Sequence, residues 1–509
     1  MRSKKFIILT ITVFFTLFAS YIYLVDQFVV VERAVPYSYR QFLLESTETI
    51  SGKVIIESGS NSIHSIDPFL LSDYFNAPVI TSAANAGYPI YPKIFNLLKV
   101  VKKGDILILP LEWNQYSYED NLPNNFLNAL ADKNLKLEYY FNNLPLWEKI
   151  KFTLTQYPLD KVIDGLLQER NSEQLLRADL SRLSRFESIL LANSNQTFGN
   201  SDRNGPEPVE KDGSHNRSCD EYVLGKQLTN GFIITKAFKD NLHSLKKLVQ
   251  QGVDVYFTWP AVVDHQRSQC YQGLTIQNEL KNFALKIKTI VEGEGFKFIG
   301  NYEQSKLPER CFLNTFYHIK KECATERTES LIRELTKRSV LPLKGDSSKS
   351  DLILVVHQRI KDTRKSLAKK LNNFLPTISV ETVEARELSE KLLFVSGWST
   401  QEKWGLWSLG EKSTFSFKLE DDLLNKDTVA VKIQGQYYNG IEETKVVING
   451  LDLGGHVLMD KTFIVPTKLI KNNQVEVQFE STSTVSPAQL GRSTDTRNIK
   501  FGLKALSIS

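Results

Sequence analysis

The chain has 509 residues, with 63 lysines and arginines against 58 aspartates and glutamates, which gives a formal net charge of +5. A balance this close to neutral, without a basic stripe interleaved with aromatic residues, argues against a nucleic-acid-binding protein. The length exceeds what one hydrophobic core usually serves and predicts two or three domains.

An apolar segment lies near the amino terminus. Residues 6–25 carry no charge over about 20 positions, the length of a helix that crosses a bilayer. Arg2, Lys4 and Lys5 precede the segment, and the positive-inside rule then places the amino terminus in the cytoplasm. We expect residues 1–30 to form a cytoplasmic tip and a single-pass membrane anchor, with the bulk of the chain extracytoplasmic. A cleaved signal peptide is the alternative.

The four cysteines suit an exported chain. Cys219, Cys270, Cys311 and Cys323 show no C-x-x-C spacing, so we expect no zinc site. An even number of cysteines in an exported chain permits disulfides, and Cys311 with Cys323 is the first pairing to consider. Four unpaired, buried thiols are the alternative.

Residues 50–343 alternate short apolar runs with amphipathic stretches. Strands with their turns are predicted at 54–60, 78–87, 105–113, 253–260 and 296–302, and helices at 92–101, 238–251, 275–293 and 324–337. Strands joined by helical crossovers predict a parallel sheet between layers of helices, an α/β fold. The polar, aperiodic stretch 193–220 predicts a long loop within it.

The remaining chain has a different character. Residues 344–391 predict a linker and a connecting subdomain, with a strand-like apolar run at 351–356 followed by a basic amphipathic helix. The basic cluster at 359–370 is typical of a solvated helix face. In residues 392–509, six short alternating runs separated by Gly, Asn and Asp turns predict an all-β sandwich.

Polar residues follow several predicted strands of the α/β domain. In chain order they are Ser60 in a small-residue turn, Asn85, Asn114 and His318. Chemistry in an open α/β sheet collects where the strands end at their carboxyl edge. A serine nucleophile, a histidine base and asparagine donors to an oxyanion together describe a site for acyl transfer.

These segments resemble the SGNH/GDSL hydrolase superfamily, and more narrowly its membrane-anchored branch linked to bacterial exopolysaccharide acylation. Residues 58–67 (SGSNSIHSID) are similar to the branch pattern G-G-S-N-x-x-x-G-I-D, and residues 314–319 (NTFYHI) are similar to D-T-x-Y-H-L. Residues 102–112 resemble its K-K-G-D segment and the apolar strand after it. The resemblance covers roughly residues 50–340 and implies an SGNH-like, three-layer parallel-sheet domain.

The resemblance also implies a role for each polar residue. Ser60 would be the nucleophile and His318 its base. Asn85 or Asn114 would donate to the oxyanion, with the backbone N–H of Ser60 as a second donor. We expect no metal and no cofactor.

Asn314 stands where the family has the carboxylate of its triad. An amide can orient an imidazole but cannot stabilise its positive charge, and an Asp-to-Asn change in a serine triad lowers the rate by orders of magnitude. The protein could therefore be a slow enzyme, could use Glu112 or Asp67 as another carboxylate, or could be a degenerate binding domain. His64 is a rival base, although its place near Ser60 favours a simple loop residue.

The C-terminal domain has a second resemblance. Residues 397–408, with Trp398, Trp404 and Trp407, are similar to the pattern G-W-s-x-x-E-x-W-G-x-W-s, which recurs in a β domain at the ends of bacterial polysaccharide glycosyltransferases. The three tryptophans could stack on sugar rings, so the resemblance implies a carbohydrate-binding domain. The alternative is that they fill the core of the sandwich.

Together the resemblances imply an inner-membrane-anchored, largely periplasmic protein that adds or removes acyl groups on an exported bacterial polysaccharide. The acyl group would in the simplest case be acetyl, and it would pass through an acyl-enzyme on Ser60. An O-acetyltransferase would need a polytopic membrane partner to deliver the acyl donor, whereas an esterase would need none. A non-catalytic glycan-binding or assembly protein is the competing hypothesis, and a tether for export machinery ranks third.

Overall fold

The computed structural model describes residues 2–28, 35–83, 90–117, 163, 172–191, 195–200, 232–264, 276–312, 318–340, 347–371, 374, 377–399, 401–481, 484–493 and 497–509. The chain divides into two compact units. The first comprises residues 1–170, 198–203 and 208–352, and the second comprises residues 171–197, 204–207 and 353–509. The first unit holds a parallel sheet with helices, and the second holds a separate, largely antiparallel β region.

The described helices are α1 (Arg2–Phe28), α2 (Val35–Ser46), α3 (Ser60–Ser65), α4 (Pro68–Phe75), α5 (Ile90–Val100), α6 (Trp113–Ser117), α7 (Ser172–Leu191), α8 (Lys236–Gln250), α9 (Ile276–Gly293), α10 (Lys321–Lys337), α11 (Lys349–Leu371), α12 (Leu388–Lys391) and α13 (Asp421–Leu424). The strands of the first unit are β1 (Val54–Ile56), β2 (Val79–Thr81), β3 (Ile106–Leu109), β4 (Asp254–Thr258), β5 (Val262–Val263), β6 (Lys297–Ile299) and β7 (Lys306–Leu307). Those of the second unit are β8 (Thr377–Ile378), β9 (Thr382–Glu384), β10 (Leu393–Ser396), β11 (Leu406–Leu409), β12 (Lys412–Leu419), β13 (Thr428–Tyr437), β14 (Thr444–Ile448), β15 (Leu451–His456), β16 (Asp460–Pro466), β17 (Gln474–Glu480) and β18 (Ile499–Ile508).

The main sheet of the first unit has the strand order β2-β1-β3-β4-β6, and all its described pairs are parallel. In its register, Val54 of β1 pairs with Val79 on one side and with Ile106 on the other. The chain winds to one side from β1 to β2 and to the other side from β3 onward. The boundary between β1 and β3 is therefore the topological switch point, where doubly wound sheets form a ligand-binding crevice at their carboxyl edge.

Both faces of this sheet are buried. Ile55 and Leu107 pack into one apolar cluster with residues of α5, α8 and α9. Val54, Ile56 and Ile106 belong to a second cluster with residues of α4 and α10. Because successive side chains of a strand point to opposite faces, a strand covered on both sides must be apolar throughout. This requirement explains the continuous apolar runs in the sequence, and the predicted parallel sheet with helices is confirmed.

Every strand and helix predicted between residues 50 and 343 has a counterpart in the structure, but the apolar run at 351–356 was predicted wrongly as strand-like. It lies in helix α11, in which Leu352, Val356 and Ile360 are spaced four residues apart and are fully buried. Ser348 and Asp351 mark the start of the helix, because the N–H of Ser348 donates to Asp351 Oδ2 at 2.6 Å. The run is therefore one apolar face of a helix.

Helix α1 contains the apolar segment near the amino terminus. Its side chains include Phe6, Phe14 and Leu17, each of which is more than half exposed. Within the part of the chain that the structure describes, no helix is both long and apolar enough to cross a membrane.

The described strands of the second unit form two sheets. One has the order β10-β12-β17-β14-β15 with β8 beside β12, and the other has the order β11-β18-β13-β16 with β9 beside β18. The pairs are antiparallel except for β8 with β12. Phe415 and Val477 from one sheet and Val431 and Phe501 from the other lie in a single buried cluster. All six β runs predicted from residue 392 onward are strands, and a separate β-rich region is confirmed.

The second unit also contains α7 and the part of α11 that follows Leu352. Arg364 of α11 is buried and donates to Glu187 Oε2 of α7 at 2.8 Å. Burial alone would raise the pKa of Glu187, but hydrogen bonds from His357 and Arg364 and the charge of Arg364 hold it at about 2. The expectation of a wholly solvated basic face is therefore wrong for Arg364, which forms a buried ion pair between two helices.

Candidate active site

Strand β1 delivers Ser60 to the carboxyl edge of the parallel sheet. A short turn follows Ile56, and helix α3 begins at Ser60 with Gly59 as its N-cap residue. The hydroxyl of Ser58 donates to the carbonyl of Pro110 at 2.7 Å, which ties this turn to the residues after β3. Ser60 itself is only half-buried. Its hydroxyl is therefore held at the switch point with part of its surface open.

Strand β3 brings Glu112 to the same place. This residue follows the strand and is fully buried. Its Oε1 accepts a hydrogen bond from the backbone N–H of Asn61 at 2.6 Å and lies 3.5 Å from Ser60 Oγ. Of the two carboxylates considered as substitutes for the missing triad acid, Glu112 is the one in contact with Ser60. Asp67 instead caps α4, where it accepts from the N–H groups of Phe69 and Leu70.

The side chain of Asn61 fixes the segments around this contact. Its Nδ2 donates to the carbonyl of Pro110 at 3.1 Å. Its Oδ1 accepts from the hydroxyl of Ser65 at 2.9 Å and from the N–H of Ala261 at 3.2 Å. One buried amide thus connects α3 to the ends of β3 and β4, so the backbone that carries Ser60 is rigidly positioned.

Burial dominates the electrostatics of Glu112. It raises the pKa of this carboxyl from 4.5 to about 7, and the opposing effects of the Asn61 N–H, the charge of Lys93 and the Ser60 hydroxyl only partly offset it. Its second oxygen, Oε2, is buried and has no hydrogen-bond partner within the described parts of the chain. Glu112 can therefore exchange a proton near neutral pH, beside a serine hydroxyl.

A second buried pair lies next to Glu112. Lys93 of α5 donates a hydrogen bond to the carbonyl of Ser58, and its Nζ lies 3.6 Å from Glu57 Oε1. The hydroxyl of Ser82 donates to the other oxygen of Glu57 at 2.6 Å. Burial lowers the pKa of Lys93 and raises that of Glu57, while the attraction between them opposes both shifts. Sequence reasoning missed both residues, although a charged residue directly after an apolar strand was the available signal for Glu57.

His318, although distant in sequence from Ser60, lies next to helix α3. The rings of His318 and His64 have centroids 4.2 Å apart. His64 lies four residues after Ser60 in α3, and residues four apart in a helix share one face. The structure therefore places His318 beside the helix of the predicted nucleophile. It also corrects the interpretation of His64, which is a helical residue in contact with His318 rather than a loop residue.

A disulfide closes the segment that carries His318. Cys311 and Cys323 are bonded, which confirms the pairing considered first. The N–H of Lys320 donates to the carbonyl of Cys311 at 2.8 Å, and Phe312 forms a β-bridge with Ile319. The base of the His318 loop is therefore held both covalently and by backbone hydrogen bonds. Cys219 and Cys270 lie outside the described residues.

Of the predicted asparagine oxyanion donors and the triad amide, the structure describes only Asn114. Asn114 lies in α6, two residues after Glu112, and its Oδ1 is buried without a hydrogen-bond partner in the described ranges. Asn85 and Asn314 lie outside the residues that the structure describes. The roles of all three asparagines stay predictions.

The three tryptophans of the C-terminal domain differ from one another. Trp398 is 1% exposed and packs against Phe415 and Phe479, so it has no face for a sugar ring, and its predicted role in carbohydrate binding is wrong. Trp407 is nearly buried, with its ring 4.5 Å from that of Trp404. Trp404 is half-buried, and its Nε1 donates to a carboxylate oxygen of the adjacent Glu402 at 2.7 Å. Trp404 therefore keeps the largest open surface of the three.

Comparisons with known proteins add no identification. The sequence matches no model of a known protein family and none of the curated proteins with which it was compared. In the described part of the chain, no group of three or more His, Cys, Asp or Glu side chains could hold a metal ion.

Proposed function

We propose that this protein transfers acyl groups, in the simplest case acetyl, to or from hydroxyls of an exported bacterial polysaccharide through an acyl-enzyme on Ser60. The observation that carries the proposal is the contact of the Ser60 hydroxyl with buried Glu112 at the switch point. His318, which contacts His64 on the same helix, adds a second group capable of proton transfer. A nucleophile beside groups that can move its proton is what acyl transfer requires.

The chemistry has two halves. In the first, Ser60 Oγ bonds to the acyl carbon of the donor, the donor C–O bond breaks, and the proton of Ser60 leaves with the donor oxygen. In the second, a sugar hydroxyl or water attacks the acyl-serine and Ser60 recovers a proton. A transferase and an esterase differ only in which hydroxyl enters second. The SGNH resemblance assigns the proton transfers to His318, with asparagine side chains as donors to the oxyanion.

The proposed setting is outside the cytoplasm. Residues 6–25 favour a single-pass inner-membrane anchor with a cytoplasmic amino terminus. The disulfide between Cys311 and Cys323 supports an oxidising compartment such as the periplasm. If the reaction is a transfer, a polytopic membrane partner supplies the acyl donor. Extraction of membranes with alkaline carbonate tests the anchor, because an integral protein stays in the pellet.

Hydrolysis of 4-nitrophenyl acetate by the detergent-purified full chain tests the catalytic proposal. We expect Ser60→Ala to reduce the rate to the background, and His318→Ala measures how far the reaction depends on the histidine. Ser62→Ala is the matched control, because Ser62 lies in the same helix and its buried hydroxyl has no hydrogen-bond partner in the described chain. Equal rates in wild type and Ser60→Ala would remove the support for an acyl-enzyme.

A non-catalytic glycan-binding protein is the second candidate. The half-buried ring of Trp404, held through its Nε1 by Glu402, favours it. Glu402 in turn lies 3.4 Å from the guanidinium of Arg497, so the indole is held in place. Calorimetric titration of wild type and Trp404→Ala with oligosaccharides tests this function. Binding lost in the variant, together with absent esterase activity, would make it the leading account.

A further inference from the structure

Glu112 occupies a position from which it can act directly on Ser60. We infer that Glu112 is the general base that accepts the Ser60 proton, so that the serine works in a dyad with a buried carboxylate and His318 is not required to deprotonate it. The inference rests on the proposed function and assigns the proton transfer within the same site. It also explains how a chain with Asn314 at the triad position could remain active.

The geometry gives the two oxygens of Glu112 different surroundings. Oε1 is held by the N–H of Asn61 at 2.6 Å, which orients the carboxylate toward the start of α3. The 3.5 Å separation from Ser60 Oγ is long for a hydrogen bond, but catalytic contacts often tighten only when substrate binds. Oε2 is buried without a partner in the chain as described, and it has free lone pairs that can hold a proton.

The charged groups around Glu112 leave it able to titrate. Lys93 is the cation that acts on it, but Lys93 is directed toward Glu57 and the carbonyl of Ser58. Arg40 acts on Glu57 and on Lys93 from α2. Glu112 is therefore stabilised by a nearby positive charge, and among the described residues it forms no direct ion pair. Its pKa of about 7 is close to the value at which a general base is most effective near neutral pH.

A purely structural role explains Glu112 less well. A glutamine would accept the Asn61 N–H through its side-chain oxygen and would not require a buried charge. Burial of an ionised carboxylate without a direct cationic partner is costly. A glutamate at this fully buried position therefore has a chemical use that an amide could not provide.

The proton balance closes over both halves of the reaction. Ser60 gives its proton to Glu112 as Oγ bonds to the acyl carbon, and Glu112 returns it to the donor oxygen as the donor C–O bond breaks. The acceptor hydroxyl, or water, then gives its proton to Glu112 as its oxygen bonds to the acyl carbon. Ser60 Oγ leaves with that proton, and the carboxylate ends ionised as it began.

The test is the rate at which a fluorophosphonate probe labels Ser60 of the full chain in detergent, between about pH 5 and about pH 9. Wild type should label faster as the pH rises, with a midpoint at about 7, because only ionised Glu112 accepts a proton. Glu112→Gln should label at least about 100-fold more slowly and lose the inflection. His318→Gln should keep the inflection. Asp67→Asn is the matched control, because it removes a carboxylate that follows α3 but keeps a good N-cap residue for α4.

The outcomes separate the inference from the proposed function. An inflection that survives in Glu112→Gln and disappears in His318→Gln would overturn the inference and leave the acyl-enzyme in place. Wild-type protein that folds but shows no Ser60-dependent labelling would overturn both. If Glu112→Gln does not fold, Glu112→Asp decides, because it keeps a carboxylate one methylene shorter. It should keep the inflection with a lower plateau, and a wild-type plateau would contradict the role.

Discussion

The two edges of the parallel sheet both bury charged side chains, but they do so in different ways. At the amino edge, Lys53 precedes β1 and Asp105 precedes β3, with Nζ 2.5 Å from Oδ2 and both side chains fully buried. Asp105 also accepts from the backbone N–H groups of Lys53 and Lys102, and Lys53 Nζ donates to the carbonyl of Ile50. The ion pair is thus surrounded by further hydrogen bonds.

The buried charges at the carboxyl edge of the same strands are not surrounded by hydrogen bonds in this way. Glu112 has an oxygen without a hydrogen-bond partner in the described structure, and Lys93, whose charge acts on it, lies 3.6 Å from Glu57. Lys53, Asp105 and Glu112 are all fully buried, so burial alone does not distinguish a structural charge from a reactive one. The difference lies in whether the buried charge is fully paired, and perturbed, incompletely paired groups cluster at functional sites. Under the proposed function, the ion pair at the amino edge contributes stability and the incompletely paired carboxylate at the carboxyl edge contributes reactivity.

The largest expected effect is at the amino edge. Asp105→Asn should lower the free energy of unfolding by about 3–5 kcal/mol, because it leaves Lys53 buried without its counter-charge. Glu112→Gln should lower it by no more than about 1 kcal/mol or should raise it, since Glu112 has no direct ion pair with any residue that the structure describes. Urea denaturation near neutral pH measures both. Equal losses in the two variants would contradict the difference between the two edges.

The next effect is a pH dependence that Glu112 contributes. Its pKa is about 7 in the folded chain against an ordinary 4.5, so the folded state binds more protons between these values, and stability falls as the pH rises through that window. The loss amounts to about 3 kcal/mol, at about 1.4 kcal/mol for each pH unit. Measured unfolding free energies of wild type minus Glu112→Gln should show this decline. A difference that stays constant with pH would mean that Glu112 does not titrate there.

A somewhat smaller effect should follow loss of the disulfide that supports the His318 loop. The double change Cys311→Ser and Cys323→Ser should cost about 2–3 kcal/mol, because it frees a short loop in the unfolded chain. Thermal denaturation of the variant and of wild type with and without a reductant measures the cost. If Glu112 is the base, the inflection of Ser60 labelling should stay at the same pH. A lost inflection would favour His318 as the base.

The smallest expected effect concerns the pair beside Glu112. Lys93→Met with Glu57→Gln neutralises both members and so avoids a lone buried charge. Without the positive charge of Lys93, the pKa of Glu112 should rise, and the labelling midpoint should move up by roughly one pH unit or less. The midpoint in Asp105→Asn should not move, since that residue lies at the other edge. A downward shift in the double variant would contradict the assigned electrostatics.

Local sequence patterns determined most of the secondary structure. Alternating apolar residues are a direct consequence of strand geometry, so the six β runs after residue 392 could be identified without tertiary information. The run at 351–356 could not, because a short apolar stretch suits a buried strand and a helix face equally well. The burial of Leu352, Val356 and Ile360 on one face of α11 decided between them.

Which tryptophan rings are buried and which are exposed also depended on packing. The pattern around Trp398 and Trp404 indicated a shared motif but did not show which ring faces solvent. Gly397 illustrates the constraint, because its φ is +68° and a Cβ there would lie 2.1 Å from the carbonyl oxygen of Lys412. This part of the motif is required for a close backbone approach. Trp398 next to it is buried against Phe415 and Phe479, which only the assembled sheets could reveal.

For the site, the sequence was enough to predict that Ser60 and His318 follow strands of an α/β domain, but it offered Glu112 only as an alternative carboxylate. Ser60 and Glu112 are 52 residues apart, and their contact exists because β1 pairs directly with β3. No local pattern encodes that pairing, since strand order is set by how the crossovers pack. The same holds for Lys93 and Glu57, and for the contact of His64 with His318. The sequence specifies the residue types. The pairing of distant strands brings some of them together in one buried environment where their charges are incompletely paired.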